Sequence, residues 1–144
     1  MEPQELIVSE NVPARHVHEI YTNLDRGRRE IRLISVTPGE WSDEINCEFT
    51  VASLDDRPEY YALSYTWGDP TITRPIIING VRKQATVSLE SALRRLRETA
   101  EPSIMIWIDA LCINQEDSVE RSHQVGMMGD IYRFTREALI WIGE

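Results

Sequence analysis

Apolar positions in the first part of the chain follow the two-residue period of β-strands. Residues 45–54 place Ile45, Cys47 and Phe49 on one face with mostly polar residues opposite, and residues 31–36 are similarly rich in aliphatic side chains. A third strand is predicted at residues 61–67. These segments predict an N-terminal group of strands, which we expect to pair antiparallel at the edge of a larger sheet.

A β-hairpin is predicted around Asn79-Gly80. Strand-like sequence flanks this pair over residues 74–82. Asn-Gly is the strongest short hairpin signal, because both central positions of the preferred turn need a positive φ.

Helical spacing begins after the hairpin. Leucines and an alanine recur at helical intervals over residues 88–98, and a second stripe follows an N-cap and capping-box pattern at Asp117. Apolar runs at residues 104–108 and 138–143 read as buried strands on either side of this second helix. Strand, helix, strand, helix, strand predicts an α/β fold with a mainly parallel sheet flanked by helices. The two apolar helix stripes are Leu89, Ala92, Leu93, Leu96 and Val125, Met128, Ile131, Tyr132.

Composition restricts the function classes. The 144 residues carry a formal net charge of −9, which argues against nucleic acid as a partner because phosphate binding needs a concentrated basic surface. No run is long enough to span a membrane, and the start lacks a signal-peptide pattern, so we expect a cytoplasmic protein. Two cysteines, Cys47 and Cys112, provide neither a disulfide framework nor a zinc-site spacing. We therefore predict neither a metal site nor a bound cofactor.

The strongest functional signal is the end of the strand at residues 104–108, where polar side chains follow directly. In open α/β sheets, ligands bind where the carboxyl ends of strands meet the following loops. Asp109 could position a ribose hydroxyl, polarise a nucleophile, or simply cap the turn. Asn114 and Gln115 could bind a ligand or satisfy loop backbone groups. Cys112 could be a nucleophile with His123 and Asp109, although a buried thiol is more often a small hydrophobe.

Two further groups are candidates. Glu120 could act as an acid or base, but a capping box alone accounts for a carboxylate at that position. Arg121 could clamp a phosphate or form a surface ion pair. Trp67, Gly68 and Asp69 could stack a base at a second strand end, or form a core tryptophan and a turn.

Several sequence blocks together resemble the fungal heterokaryon incompatibility (HET) domain. They include residues 61–69, with Ser64, Tyr65, Trp67, Gly68 and Asp69, and residues 107–117, with Asp109, Cys112, Asn114 and Gln115. Glu120-Arg121, Gln124-Val125, Met128, Ile131-Tyr132 and residues 140–143 follow in the same order as in that family. The resemblance covers residues 30–144, leaves residues 1–29 as a leader, and implies either a fragment or a short family member, since such domains usually continue further.

The resemblance implies a module of fungal nonself recognition that triggers programmed cell death, through self-association or a partner domain. HET domains have in turn been compared with TIR domains, which implies a flavodoxin-like tendency of the fold and an alternative function as a nucleotide-directed hydrolase. NAD would then be a substrate, with Trp67 stacking a ring, Asp109 or Glu120 supplying a carboxylate, and Asn114 and Gln115 orienting sugar hydroxyls. A third alternative is an inert structural fragment of a larger receptor.

Overall fold

A seven-stranded sheet forms the centre of the molecule, described by a computed structural model over residues 20–65, 68–99 and 104–141. The order across the sheet is β5-β4-β2-β1-β6-β3-β7. Three α-helices lie wholly in these residues, α1 (Val87–Thr99), α2 (Asp109–Cys112) and α3 (Ser118–Arg133), together with two short 3-10 helices, Arg26–Arg28 and Leu54–Asp56. The strands are β1 (Glu30–Val36), β2 (Ile45–Ser53), β3 (Tyr61–Tyr65), β4 (Thr73–Ile78), β5 (Val81–Thr86), β6 (Ile106–Trp107) and β7 (Glu137–Trp141).

The α/β class is confirmed, but the expectation of a mainly parallel sheet is wrong. Antiparallel ladders join β1 with β2, β1 with β6 and β4 with β5, and they contain the larger number of paired residues. Parallel ladders join β2 with β4, and β3 with both β6 and β7. The sheet is mixed because two strands, β1 and β5, run against the other five.

β1 and β2 pair antiparallel as expected, but neither lies at the edge, and the third N-terminal strand, β3, pairs in parallel with β6 and β7. β1 occupies the middle of the sheet, between β2 and β6, with Ile34 opposite Ile106. Its residues from Ile31 to Ile34 are all buried, so both faces of the strand are covered. A strand covered on both faces carries apolar residues at odd and even positions, as residues 31–36 do.

The predicted hairpin is confirmed. Asn79 and Gly80 have φ values of 51° and 81°, and the β4–β5 ladder runs from Thr73 opposite Thr86 to Ile78 opposite Val81. Asn79 also ties the hairpin to β2, because its Oδ1 accepts a hydrogen bond of 2.9 Å from the backbone N–H of Phe49.

Both predicted helices form, but the second one is rotated relative to its predicted stripe. α1 buries Leu89, Ala92 and Leu93 as expected. α3 instead buries Gln124, Met127 and Ile131, and Val125 is 55% exposed. Gln124 is accepted in the interior because its Nε2 donates to the backbone carbonyl of Glu30.

The packed structure includes residues before β1. Ile20 is buried, and the hydroxyl of Tyr21 donates a 2.8 Å hydrogen bond to the carbonyl of Leu111. This contact brings residues 20–22 against the loop that carries the strongest sequence signal. Within the described ranges, no helix combines the length and the apolar character that crossing a membrane requires.

Candidate functional site

The parallel strands β3 and β6 are neighbours, so their carboxyl ends lie side by side at the same end of the sheet. Tyr61 pairs with Ile106 and Ala62 with Trp107, so Tyr65 and Asp109 emerge at the same edge. A pocket of about 310 Å³ opens there. It is lined by Tyr65, Lys83, Gln84, Ala85, Thr86, Leu89, Asp109, Ala110, Leu111 and Gln115.

Asp109 is the first residue of α2 and a wall of this pocket. Partial burial raises the pKa of its carboxyl group, and a hydrogen bond from the backbone N–H of Ala110 opposes that rise. Removing water from an ionised carboxylate destabilises the charged form, which is why the pKa moves upward. A partly buried carboxyl group with a shifted pKa is typical of ligand-binding and catalytic positions.

Tyr65 contributes a second polar group to the pocket. Burial raises the pKa of its hydroxyl to about 12, with the nearby Asp109 adding to the rise and a side-chain hydrogen bond with Thr86 opposing it. Thr86 ends β5, and four strands lie between β5 and β3 in the sheet order. The sheet must therefore curl strongly enough to bring its β5 edge back to the end of β3.

Lys83 on β5 is a pocket residue that the sequence analysis missed. It is the only lysine in the chain. Burial lowers the pKa of its ammonium group, and the nearby Glu116 opposes the shift. Its Nζ lies 5.9 Å from the centroid of the Tyr21 ring. Local sequence placed Lys83 in a hairpin strand, and only the curl of the sheet brings it to Asp109.

Glu120 forms a buried ion pair with Arg32. Its Oε2 lies 2.6 Å from Nη1 of Arg32, and its Oε1 lies 2.9 Å from Nη2. Oε2 also accepts a hydrogen bond of 2.8 Å from the backbone N–H of Asn114. The helix cap itself is Asp117, whose Oδ1 accepts from Val119 and Glu120, so the N-cap prediction is confirmed. In a capping box, the Glu120 carboxylate would accept a hydrogen bond from the backbone N–H of Asp117. Here it accepts from the backbone N–H of Asn114 instead.

Arg32 on β1 forms hydrogen bonds with several other segments of the chain. Its side chain is 1% exposed, and its Nη1 and Nη2 also donate to the carbonyls of Cys112 and Thr22 at 3.1 and 2.6 Å. Its guanidinium lies 5.0 Å from the centroid of the Tyr21 ring. An arginine within the apolar run at residues 31–36 was the available sequence signal for a buried charge partner.

Cys112 is fully buried beneath the site. Its Sγ accepts a hydrogen bond of 3.4 Å from the backbone N–H of Ile108, and burial raises its pKa to about 12. The thiolate is the nucleophilic form of cysteine, so this setting favours a packing role. His123 lies elsewhere, beside Glu120 in a separate cavity of about 350 Å³.

We expect both cysteines to resist a thiol reagent in the folded protein. Cys47 is also buried, and burial raises its pKa to about 12 as well. A thiol-disulfide exchange reagent at pH 8 should modify neither residue at an appreciable rate, whereas both should react immediately in guanidinium chloride. Rapid labelling of Cys112 in the native protein, located by mass spectrometry, would show that its thiol is accessible.

The other residues of the signature loop bind mainly the loop itself. The Oδ1 of Asn114 accepts from the backbone N–H of Glu116, and Nε2 of Gln115 donates 2.9 Å to the carbonyl of Asp109. Arg121 donates 2.6 Å to the carbonyl of Gln115. Of these three, Gln115 is the one that lines the pocket with Asp109.

The residues after β3 line a different concavity. Gly68 has a φ of 65°, and Asp69 accepts hydrogen bonds from the backbone and hydroxyl of Thr71, which lower the pKa of its carboxyl group. Gly68 and Asp69 border a groove of about 840 Å³. Ser64 is exposed on β3, opposite Ile140 of β7. Trp67 lies outside the described residues, as do residues 142 and 143 of the last predicted block.

The predicted site residues therefore do not all lie at one site. Tyr65, Asp109 and Gln115 share the pocket, Gly68 and Asp69 face the groove, and Glu120 is held by Arg32. The described ranges contain no group of three histidine, cysteine, aspartate or glutamate side chains arranged to hold a metal ion.

A mixed sheet with a small pocket at two parallel strand ends, lined by apolar side chains and a few polar ones, defines an α/β domain with a ligand-sized cavity. Residues 60–144, more than half of the chain, match the family described as heterokaryon incompatibility protein (HET), and the chain belongs to this family. It is also 39% identical over 127 residues to "Heterokaryon incompatibility protein 6, OR allele" of Neurospora crassa. That alignment covers 78% of this chain and 18% of the relative. No solved structure matches the chain.

Proposed function

We propose that this chain acts in fungal heterokaryon incompatibility, as a cytoplasmic signalling domain that triggers programmed cell death by self-association or through a partner domain. The proposal is supported by membership of the HET family and by the similarity to a relative that is named as a heterokaryon incompatibility protein. Because the chain spans 18% of that relative's length, the activity of a whole incompatibility protein is part of the proposal.

The outermost strand β7 supports the proposal that the domain signals by association with another chain. β7 is the outermost strand, beyond β3, and Ile140 on it is 74% exposed. An edge strand with an exposed aliphatic side chain can pair with a strand of another chain, since no strand of residues 20–65, 68–99 or 104–141 pairs with its outer side. Ile140 is therefore the residue at which association can be tested with least disturbance of the core.

The Ile140→Lys variant should lose most of its toxicity when expressed in a filamentous fungus. A charge on an edge strand opposes pairing with another chain, while an exposed position tolerates the change in the folded monomer. The measurement is the loss of viable colonies on induction, at matched protein levels, together with the oligomeric state of the purified chain.

Val125→Lys is the matched control. Val125 is a branched aliphatic residue that is 55% exposed on α3 and is not part of the β7 strand. We expect it to retain toxicity and oligomeric state. Equal toxicity of both variants would contradict association through β7, and a wild-type chain that harms no fungal strain would favour the inert-fragment alternative.

A further inference from the structure

Two oppositely charged side chains line the pocket beside β3 without forming an ion pair. Lys83 and Asp109 both line this pocket, and among the described residues neither has an oppositely charged group within 4.0 Å. Glu116 is near enough to oppose the pKa shift of Lys83, but it does not form an ion pair with it. Both Lys83 and Asp109 are only partly exposed. Taking a charge out of water is unfavourable unless something pairs with it. Within the described part of the chain, both charged groups are thus available to a ligand in the pocket.

The remaining polar groups of the pocket are neutral. Gln84 uses its Oε1 to accept from the Thr73 hydroxyl, and Gln115 uses its Nε2 to donate to the carbonyl of Asp109. Among the residues that the structure describes, the Nε2 of Gln84 and the Oε1 of Gln115 have no hydrogen-bond partner, so both atoms can bind a ligand. Amide groups beside a carboxyl group provide the donors and acceptors that bind hydroxyl groups. The side chain of Tyr65 adds an aromatic wall.

We propose that this pocket binds a phosphorylated sugar. The ammonium group of Lys83 pairs with the phosphate, as lysine does at other phosphate sites. The carboxylate of Asp109 accepts hydrogen bonds from the sugar hydroxyls, and the free amide atoms of Gln84 and Gln115 complete the ring of polar contacts. The proposal goes beyond cell-death signalling, and it is tested on the purified chain without reference to toxicity.

The size of the pocket restricts the ligand further. A volume of about 310 Å³ is at the lower end of the range for small-molecule sites. It suits a monosaccharide phosphate, and a nucleotide would place its sugar phosphate in the pocket and its base outside. A free sugar phosphate and a nucleotide thus share the chemistry that the pocket recognises.

Titration calorimetry with ribose 5-phosphate, AMP, ribose and inorganic phosphate tests the proposal. Ribose 5-phosphate should bind saturably, and more tightly than ribose or phosphate alone. Lys83→Met should weaken its binding by about tenfold or more, since the variant removes a hydrogen bond to a charged group. Asp109→Asn keeps the shape of the side chain and should also weaken binding. Tighter binding of AMP than of ribose 5-phosphate would identify a nucleotide as the source.

Arg82→Met is the matched control on the same strand. Arg82 is exposed, forms its ion pair with Glu44 and does not line the pocket, so its replacement should leave binding unchanged. Because Lys83 is the only lysine, protection of its amine from a lysine-selective reagent gives a second readout. No saturable binding of ribose 5-phosphate or AMP by folded wild-type chain would overturn the proposal. Equal binding of inorganic phosphate alone would reduce the pocket to an anion site and overturn the sugar assignment.

Discussion

The Glu120→Ala variant is expected to lose about 3–5 kcal/mol of its free energy of unfolding, because one partner of a buried ion pair would remain uncompensated. Arg32 is 1% exposed and the Glu120 side chain 10% exposed, so water cannot replace the missing carboxylate at low cost. The backbone N–H of Asn114 would lose its acceptor at the same time. Equilibrium unfolding in guanidinium chloride, followed by circular dichroism, measures the change.

Glu44→Ala is the control for an exposed ion pair. Glu44 and Arg82 form a bidentate pair at the surface. Removing an exposed partner should cost about 1 kcal/mol or less. The double variant Arg32→Met/Glu120→Leu should be less destabilised than Glu120→Ala, since it leaves no unpaired charge. An equal, small loss in Glu120→Ala and Glu44→Ala would show that the Arg32 pair is hydrated in solution.

Trp107→Ala should be destabilised to a similar extent, by about 3–5 kcal/mol, because it leaves a large cavity in the core. Trp107 is fully buried in β6 and packs edge-on against Tyr132, with ring centroids 5.5 Å apart. The substitution would also remove the ring contact between β6 and Tyr132 of α3. Thermal and denaturant unfolding both report it, and a reduced cooperativity of the transition would accompany it if the core loosens.

Trp41→Ala tests whether the loss of stability in Trp107→Ala is due to the burial of the side chain or occurs for any tryptophan. Trp41 is 56% exposed and contacts Arg94, whose guanidinium lies 5.6 Å from its ring. We expect a loss of about 1 kcal/mol at most, the size of an exposed cation–π contact. A destabilised Trp41 variant and an unaffected Trp107 variant would reverse the assignment of core and surface.

Features that depend on neighbouring residues in the chain were predictable. The turn at Asn79-Gly80, the buried face of α1 and the cap at Asp117 each follow from a local pattern, and each is present. The position of β1 depends on which strands lie beside it, and periodicity does not contain that information. Its apolar residues on both faces were nevertheless a sign of a central strand.

The candidate site shows the same division. The strand-end rule led to Asp109 and Gln115, which line one pocket. It could not lead to Lys83, because the curl of the sheet brings together strands that are distant in the sheet order. Nor could it separate Glu120 from the pocket, since the partner that holds its carboxylate, Arg32, lies 88 positions earlier in the chain.

The central place of β1 has a consequence for synthesis on the ribosome. The β1–β2 hairpin is made early, yet the partner on the other side of β1 is β6, where Ile106 pairs with Ile34. Until β6 emerges, one edge of a strongly apolar strand has no neighbour, and such an edge favours aggregation or chaperone binding. Emergence of β6 from the ribosome is thus the step after which β1 can gain its second neighbouring strand.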